Sequence, residues 1–145
     1  MAKTERHIYA SPETIFGVLS DADSYGYWVV GSKEIRSADS DWPAPGSRFH
    51  HTVGFGPFEV KDHTVCEHMD SPWVLELRAR ARPLGTAKVR LELEPEDAGT
   101  RVRMYEDAGD LLTSLVFNPI THLLVRGRNE ESLCRLAELA ERKRN

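Results

Sequence analysis

The sequence predicts an α+β domain in which one large antiparallel sheet packs against one long C-terminal helix. Three observations lead to this prediction. The segment from Val29 to Asp107 alternates apolar and polar residues between short turns rich in Gly, Pro and Asp, which is typical of antiparallel strands. The segment after Pro119 carries apolar residues at helical spacing. The length of 145 residues fits a single domain, which we expect to span residues 1–145.

The N-terminal part predicts one strand and two short helices. Residues 3–9 are expected to form a short strand. Ser11 suits an N-cap and Pro12 suits the first helical position, and the apolar residues that follow form one stripe, namely Ile15, Phe16 and Leu19. The sequence "DADSYGYW" predicts a second short helix, whose length Gly26 limits.

The rest of the chain predicts six strands, a connector and the long helix. Turn sequences separate the strands, which we place near residues 30–38, 47–54, 58–69, 73–82, 86–94 and 100–107. We expect a connector over residues 108–117 and a helix from Pro119 to about residue 143.

The composition argues against several classes of partner. Charged residues make up 29% of the chain, the net charge is −4, and acidic and basic residues are interspersed, so we expect neither nucleic-acid binding nor stable membrane association. The first residues contain no apolar signal segment, and no apolar run is long enough to span a membrane, which favours a cytoplasmic location. Cys66 and Cys134 lie far apart, and we expect two free thiols.

Strand parity assigns each side chain of the sheet to a face. In residues 73–82 and 86–94, alternate positions are Leu, Val or Ala while most of the others are charged, so the apolar side must face the core. The short turns then predict the register. They place Ala81 opposite Ala87, His51 opposite Val60, and Glu106 beside Val89. Asp62 becomes a diagonal neighbour of His51, at ~7–8 Å between backbones and within reach of a hydrogen bond.

The two adjacent histidines do not predict a metal site. Neighbouring residues of a strand point to opposite faces, so His51 points inward and His50 points to solvent. The predicted register separates His51 from Cys66 by roughly 20 Å along the sheet, too far for one ion. We therefore expect no metal and no cofactor.

One end of the inner face combines small apolar residues with ionisable ones, which predicts a ligand cavity. On the final helix, the buried line traced back from Leu133 reaches Arg126 and His122, and Arg126 would pair with Glu106. An inward His or Asp can equally be a structural group with its hydrogen bonds satisfied, and Trp28 suits core or cavity wall. The predicted lining is Trp28, Phe49, His51, Val60, Asp62, Ala79, Ala81, Ala87, Val89, Glu106, His122 and Arg126.

The order of elements resembles the SRPBCC (START-like, helix-grip) superfamily, and most closely its polyketide cyclase/dehydrase and lipid-transport branch. The segments that carry the resemblance are "ASPETIFGVLSDADSYGYW", "GTRVRMYED" and "NPITHLLVRGRNEESLCRLAELAE". The resemblance implies a curved seven-stranded sheet wrapped around the C-terminal helix, with a cavity between them for apolar or amphipathic molecules.

Three functions remain open from the sequence. The first is binding of an apolar or amphipathic small molecule, resembling a lipid, a polyketide or an aromatic compound. The second is cofactor-independent cyclase, aromatase or dehydratase chemistry, with His51, Asp62, Glu106 and Arg126 as candidate acid, base and charge-stabilising groups. The third is an interaction module associated with chaperones or ribosomes. The ligand and the oligomeric state are left open.

Overall fold

One antiparallel sheet makes up most of the fold. The computed structural model describes the backbone of residues 2–55, 58–81, 85–108 and 119–143, and the side chains of residues 3–52, 59–80, 86–107 and 127–143. Within these ranges seven strands form one curved sheet in the order β1-β7-β6-β5-β4-β3-β2. The strands are β1 Ala2–Ile8, β2 Ser32–Ala38, β3 Arg48–Phe55, β4 Phe58–Asp70, β5 Val74–Ala81, β6 Gly85–Glu96 and β7 Gly99–Ala108. The predicted α+β class and the seven-stranded sheet are confirmed.

The helices also begin where the sequence predicts. Helix α1 spans Pro12–Leu19, and the Ser11 hydroxyl accepts the Thr14 amide at 3.1 Å as its N-cap. A single 3-10 turn, Ala22–Ser24, leads into the short helix α2, Tyr25–Trp28. The C-terminal helix α3 spans Pro119–Lys143. Most of the predicted connector at residues 108–117 lies outside the described residues.

The core occupies one half of the space between the sheet and α3. From the sheet, Leu75, Leu91 and Val102 are fully buried, and Leu133 and Leu136 of α3 meet them from the other side. Helices α1 and α2 pack against α3, and so does β1. This half of the protein therefore has the close packing expected of a small domain core. No helix in the described ranges is both long and apolar enough to cross a membrane.

The register differs from the prediction by two residues in the β3–β4 and β5–β6 hairpins. Ala87 lies opposite Ala79 rather than Ala81, because β6 already begins at Gly85 and shortens the turn. His51 lies opposite Asp62 rather than Val60. A shift of two leaves every side chain on its predicted face. The predicted pairing of Glu106 with Val89 is confirmed.

A β-bulge in β4 changes the face of the residues that follow it. The β4–β5 register shifts between Cys66 and His68, so an extra residue lies on β4 at this point. As a result His68, which unbroken parity would turn inward, is exposed, while Met69 packs against the core.

Candidate functional site

The inner face of the sheet is less buried toward the end opposite the core. Val60, Ala79, Ala87 and Val89, here named the floor, are all half-buried, whereas the inward residues further along the same strands are buried. The strands β4, β5 and β6, which supply buried residues to the core, thus supply small or half-buried residues here. Ala81 is the last residue of β5, but its side chain lies outside the described residues. The exposure of apolar side chains on an inner face is the feature that a ligand would cover.

His51 borders the floor on β3 and is 6% exposed. Its ring Nε2 lies 3.1 Å from the carbonyl oxygen of Arg80 on β5, and because a carbonyl can only accept, Nε2 carries the proton. Burial lowers the pKa of His51; the carbonyls of His63 and Arg80 and the Asp62 carboxylate act in the opposite direction. The imidazole is therefore neutral at neutral pH.

Asp62 lies directly opposite His51, but the two side chains bond elsewhere. The Asp62 carboxylate accepts the amide of His63 at 2.9 Å, and its Oδ1 lies 3.3 Å from Nδ1 of the His63 ring. The His51 ring reaches across β4 to the Arg80 carbonyl, and the hydrogen bonds described here do not join it to Asp62. Asp62 is buried, and its charge favours the protonated form of His51.

Arg36 is a neighbour of this pair that the sequence did not reveal. Its Nη2 donates to the carbonyl oxygens of His51 at 3.2 Å and of Asp62 at 3.1 Å. The guanidinium charge acts against protonation of His51. Arg36 sits at a register shift between Ile35 and Ser37 in the edge strand β2, and such a shift has no clear signature in a single sequence.

A second polar cluster joins β7 to α3. Glu106 is buried, and Arg128 donates to both of its carboxylate oxygens. Asn129, also buried, donates its Nδ2 to Glu106 at 3.0 Å. The predicted partner was Arg126; the described partner is Arg128, two residues further along the helix. The side chains of Arg126 and His122 lie outside the described residues.

The two polar clusters are separate sites. Asp62 is on β4 and Glu106 on β7, so three strand spacings, about 14 Å across the sheet, lie between them. They are also offset along the strands, because Glu106 lies in the row of Cys66, four residues along β4 from Asp62. The floor lies between the two clusters. A ligand on the floor would therefore have a polar group on either side rather than one polar end.

Trp28 and Phe49 belong to an aromatic cluster beside His51. The Tyr25 ring lies 4.9 Å from that of Trp28 and 4.8 Å from that of Phe49, and Phe49 lies 5.8 Å from the His51 ring between centroids. Tyr25, Trp28 and Phe49 are all buried. The burial of Trp28 agrees with a role in core packing, one of the two roles that the sequence leaves open. The aromatic cluster borders the inner face of the sheet on its β3 side.

The described side chains include no group of three or more His, Cys, Asp or Glu that could hold a metal ion. The side chains of the adjacent histidines have different neighbours. The His51 ring packs against Phe49, while the His50 ring lies 6.0 Å from that of His63, its partner across the strands. Cys66 and Cys134 are free thiols, as predicted, and burial raises the pKa of Cys66 to about 11.

A depression of about 380 Å³ lies among charged residues of the central strands, and Leu77 and the floor residue Val89 also line it. Arg90 at its edge pairs with Glu76 and Glu92. Its charged rim suits an apolar ligand poorly, and we assign no function to it.

Residues 2–141 match the family model described as polyketide cyclase / dehydrase and lipid transport. The chain belongs to this family, which is of the SRPBCC type. The match covers nearly the whole chain and confirms the resemblance found in its sequence. No curated protein matches the chain.

Solved structures show the same fold at low sequence identity. TTHA0849 from Thermus thermophilus is 16% identical with a TM-score of 0.73, and the alignment covers 99% of both chains. Ara h 8.0201 is 11% identical with a TM-score of 0.75, covering 98% of this chain and 97% of that one. The di-domain ARO/CYC StfQ from the steffimycin biosynthetic pathway is 10% identical with a TM-score of 0.72, covering 98% of this chain and 50% of that one.

Proposed function

We propose that this protein binds an apolar or amphipathic small molecule between the inner face of its sheet and helix α3. The observation that carries the proposal is the half-buried floor, Val60, Ala79, Ala87 and Val89, beside a fully buried core. Membership of a family described by both cyclase and lipid-transport activity supports it. Covering apolar surface yields roughly 25 cal/mol per Å², so each 100 Å² covered contributes about 2.5 kcal/mol before the costs of association.

The second polar cluster is the better anchor for a polar group of the ligand. Glu106 already accepts hydrogen bonds from Arg128 and Asn129, so its carboxylate is neutralised. The Arg128 side chain is 38% exposed and keeps N–H donors that Glu106 does not use. An acceptor on the ligand, such as a carbonyl or carboxylate oxygen, would meet these donors. Among the predicted lining residues, Glu106 thus acts by positioning an arginine.

The test fills the floor from a single position. Ala87→Trp puts a large ring on the floor, while Lys88→Trp puts the same ring on the outer face of the same strand. Binding of 1-anilinonaphthalene-8-sulfonate is titrated by fluorescence, with far-ultraviolet circular dichroism confirming that both variants fold. We expect Ala87→Trp to weaken binding by about tenfold or more and Lys88→Trp to leave it unchanged. Wild-type protein that binds no apolar dye and carries no co-purifying ligand in native mass spectrometry would refute the proposal.

Cofactor-independent cyclisation or dehydration is a second candidate function. The observation that favours it is the buried His51, whose neutral imidazole can accept a proton at neutral pH. A structural neighbour whose name includes ARO/CYC, StfQ, makes this chemistry worth testing. Ring closure of a poly-β-ketone thioester is followed with wild type, His51→Gln and the exposed-site control His68→Gln. We expect only His51→Gln to lose activity, by about 10²-fold or more; equal rates for all three would remove His51 from the chemistry.

A further inference from the structure

Two buried polar atoms at the junction of α2 and β2 have no hydrogen-bond partner in the part of the chain that the structure describes. They are the indole Nε1 of Trp28, the last residue of α2, and the hydroxyl of Ser32, the first residue of β2. The Trp28 residue is only 2% exposed. A buried donor without an acceptor is costly, because it loses its hydrogen bonds to water and gains none. Two such atoms within five residues indicate a partner that comes from outside the chain.

Trp42 shows the usual arrangement of a buried indole. Its Nε1 donates to the Leu19 carbonyl oxygen at 3.2 Å. The Tyr25 hydroxyl, whose ring contacts that of Trp28, donates to the same carbonyl at 2.8 Å. The neighbouring buried aromatic donors therefore bond within the protein, and the unpaired N–H of Trp28 is an exception among them.

The junction continues the floor toward the β2 edge of the sheet. Ser32 lies opposite Val53 on β3, and Val53 lies opposite Val60 on β4. Residues directly opposite each other on neighbouring strands share a face, so Ser32 lies in the same row as the floor residue Val60. Helix α2 packs against both β2 and α3 and so covers this end of the row. The two unpaired atoms therefore lie at the margin of the proposed binding surface.

Exposed hydrogen bonds to α3 hold α2 on its outer side. The Tyr27 hydroxyl donates to Glu138, and Arg135 donates to the Tyr27 carbonyl oxygen at 3.3 Å. Exposed hydrogen bonds are easily exchanged for bonds to water, so a small shift of α2 away from β2 costs little. Solvent does not reach Trp28 Nε1 or Ser32 Oγ in the present arrangement, and such a shift would admit a ligand atom between them.

We propose that Trp28 and Ser32 form a subsite for an uncharged oxygen of the ligand, which accepts the indole N–H and bonds to the hydroxyl. The inference rests on the proposed function. An indole N–H only donates and a hydroxyl donates or accepts, so a ketone, ester, ether or alcohol oxygen satisfies both groups. A carboxylate fits poorly, because a buried charge needs an opposite charge and both groups are neutral. The ligand is thus an apolar molecule with a neutral oxygen on the α2 side of the floor, opposite the side of Arg128.

The three tryptophans allow the N–H to be observed directly. Each indole gives one signal in a proton–nitrogen correlation spectrum; Trp42 is the bonded control and Trp73 the exposed one, and phenylalanine variants assign the signals. The probe 6-propionyl-2-dimethylaminonaphthalene offers a ketone oxygen, whereas N-phenyl-1-naphthylamine has no oxygen. We expect only the ketone probe to move the Trp28 proton downfield, toward the position of Trp42. A Trp28 proton already at that position without ligand would assign the N–H to a buried water and overturn the proposal.

The ratio of the two affinities separates ligand recognition from a general loss of structure. Trp28→Phe keeps an aromatic ring but removes the N–H, and Ser32→Ala removes the hydroxyl. The matched controls are Trp42→Phe, whose N–H bonds within the protein, and Ser37→Ala, at an exposed position on the outer face of β2. Fluorescence titration gives the dissociation constant of each probe.

Both subsite variants should weaken binding of the ketone probe about fivefold relative to the oxygen-free probe, and both controls should leave the ratio within about twofold of wild type. An unchanged ratio in both subsite variants would overturn the inference and leave the proposed function standing. Wild-type protein that binds neither probe would refute both.

Discussion

Removing Arg128 tests how strongly the buried carboxylate of Glu106 depends on its partner. Arg128 and Arg135 lie on the same helix with similar side-chain exposure, 38% and 37%. Their partners differ, since the Glu106 side chain is 9% exposed and that of Glu131 is 53% exposed. Arg135 also donates to the Tyr27 carbonyl oxygen at 3.3 Å; apart from this hydrogen bond, the main difference between the two pairs is the burial of the acid.

The expected loss follows from this difference. Breaking a fully buried ion pair by removing one partner costs about 3–5 kcal/mol, because the other charge stays buried without compensation. Arg128 is partly exposed and Asn129 still donates to Glu106, so we expect Arg128→Met to lower the free energy of unfolding by about 2 kcal/mol. For a chain of this length, that lowers Tm by about 4–8 °C. Arg135→Met removes an exposed pair and should cost about 0.3–0.5 kcal/mol.

Urea unfolding followed by circular dichroism measures both losses. A double-mutant cycle with Glu106→Gln adds a second measurement, and the coupling energy between Glu106 and Arg128 should exceed about 1 kcal/mol. Glu106→Gln alone should cost less than Arg128→Met, because the guanidinium left behind can reach solvent. Equal losses for Arg128→Met and Arg135→Met, or additive effects in the cycle, would refute the reasoning.

Three further predictions concern the backbone, pH and thiol reactivity. A Cβ at Gly99 would lie 2.1 Å from a main-chain oxygen of β1, so Gly99→Ala should destabilise the protein by about 3 kcal/mol or more. A Cβ at Gly17 in α1 would meet nothing within 4 Å, so Gly17→Ala should stabilise the protein by about 0.5–1 kcal/mol. Urea unfolding measures both changes. The lowered pKa of His51 means that the unfolded chain binds more protons below about pH 6.5, so unfolding free energy should fall as pH drops through this range and fall less in His51→Ala. Iodoacetamide, with mass spectrometry as the readout, should modify Cys134 before Cys66, whose pKa is raised to about 11.

The alternation of residues along the strands predicts which face each side chain occupies, but it does not predict the register between strands. Charged residues line one side of β5 and β6, so the apolar side must face inward. Among the described side chains of β4 before its bulge, and of β5 and β6, the predicted faces agree with the burial. The residue that pairs with Ala87 depends on the length of the turn between β5 and β6, and the composition of that turn does not fix its length to better than two residues. The bulge after Cys66 carries no local signal, so the face of His68 could not be predicted.

Helix α3 shows why the sequence did not point to Arg128 as a partner of Glu106. Tracing the buried line back from Leu133 correctly reached Asn129, which is buried and bonds to Glu106. The next step along that line is Arg126, yet Arg128 beside Asn129 reaches the same carboxylate. A long side chain on the flank of a helix can reach a partner that its backbone position does not face. Periodicity identifies the buried backbone positions of a helix, but it does not predict where the guanidinium group of a long arginine side chain lies.

A catalytic role would require a change in the hydrogen bonds of His51. The ring donates its Nε2 proton to the Arg80 carbonyl at 3.1 Å. To act as a base toward a molecule on the floor, it must present an unprotonated nitrogen to that molecule. If ring closure is found, its rate should therefore fall at pH values below the pKa of His51, which burial lowers, and His51→Gln should remove this pH dependence. A rate with the same pH dependence in His51→Gln would assign the chemistry to the Glu106 and Arg128 cluster on the other side of the floor.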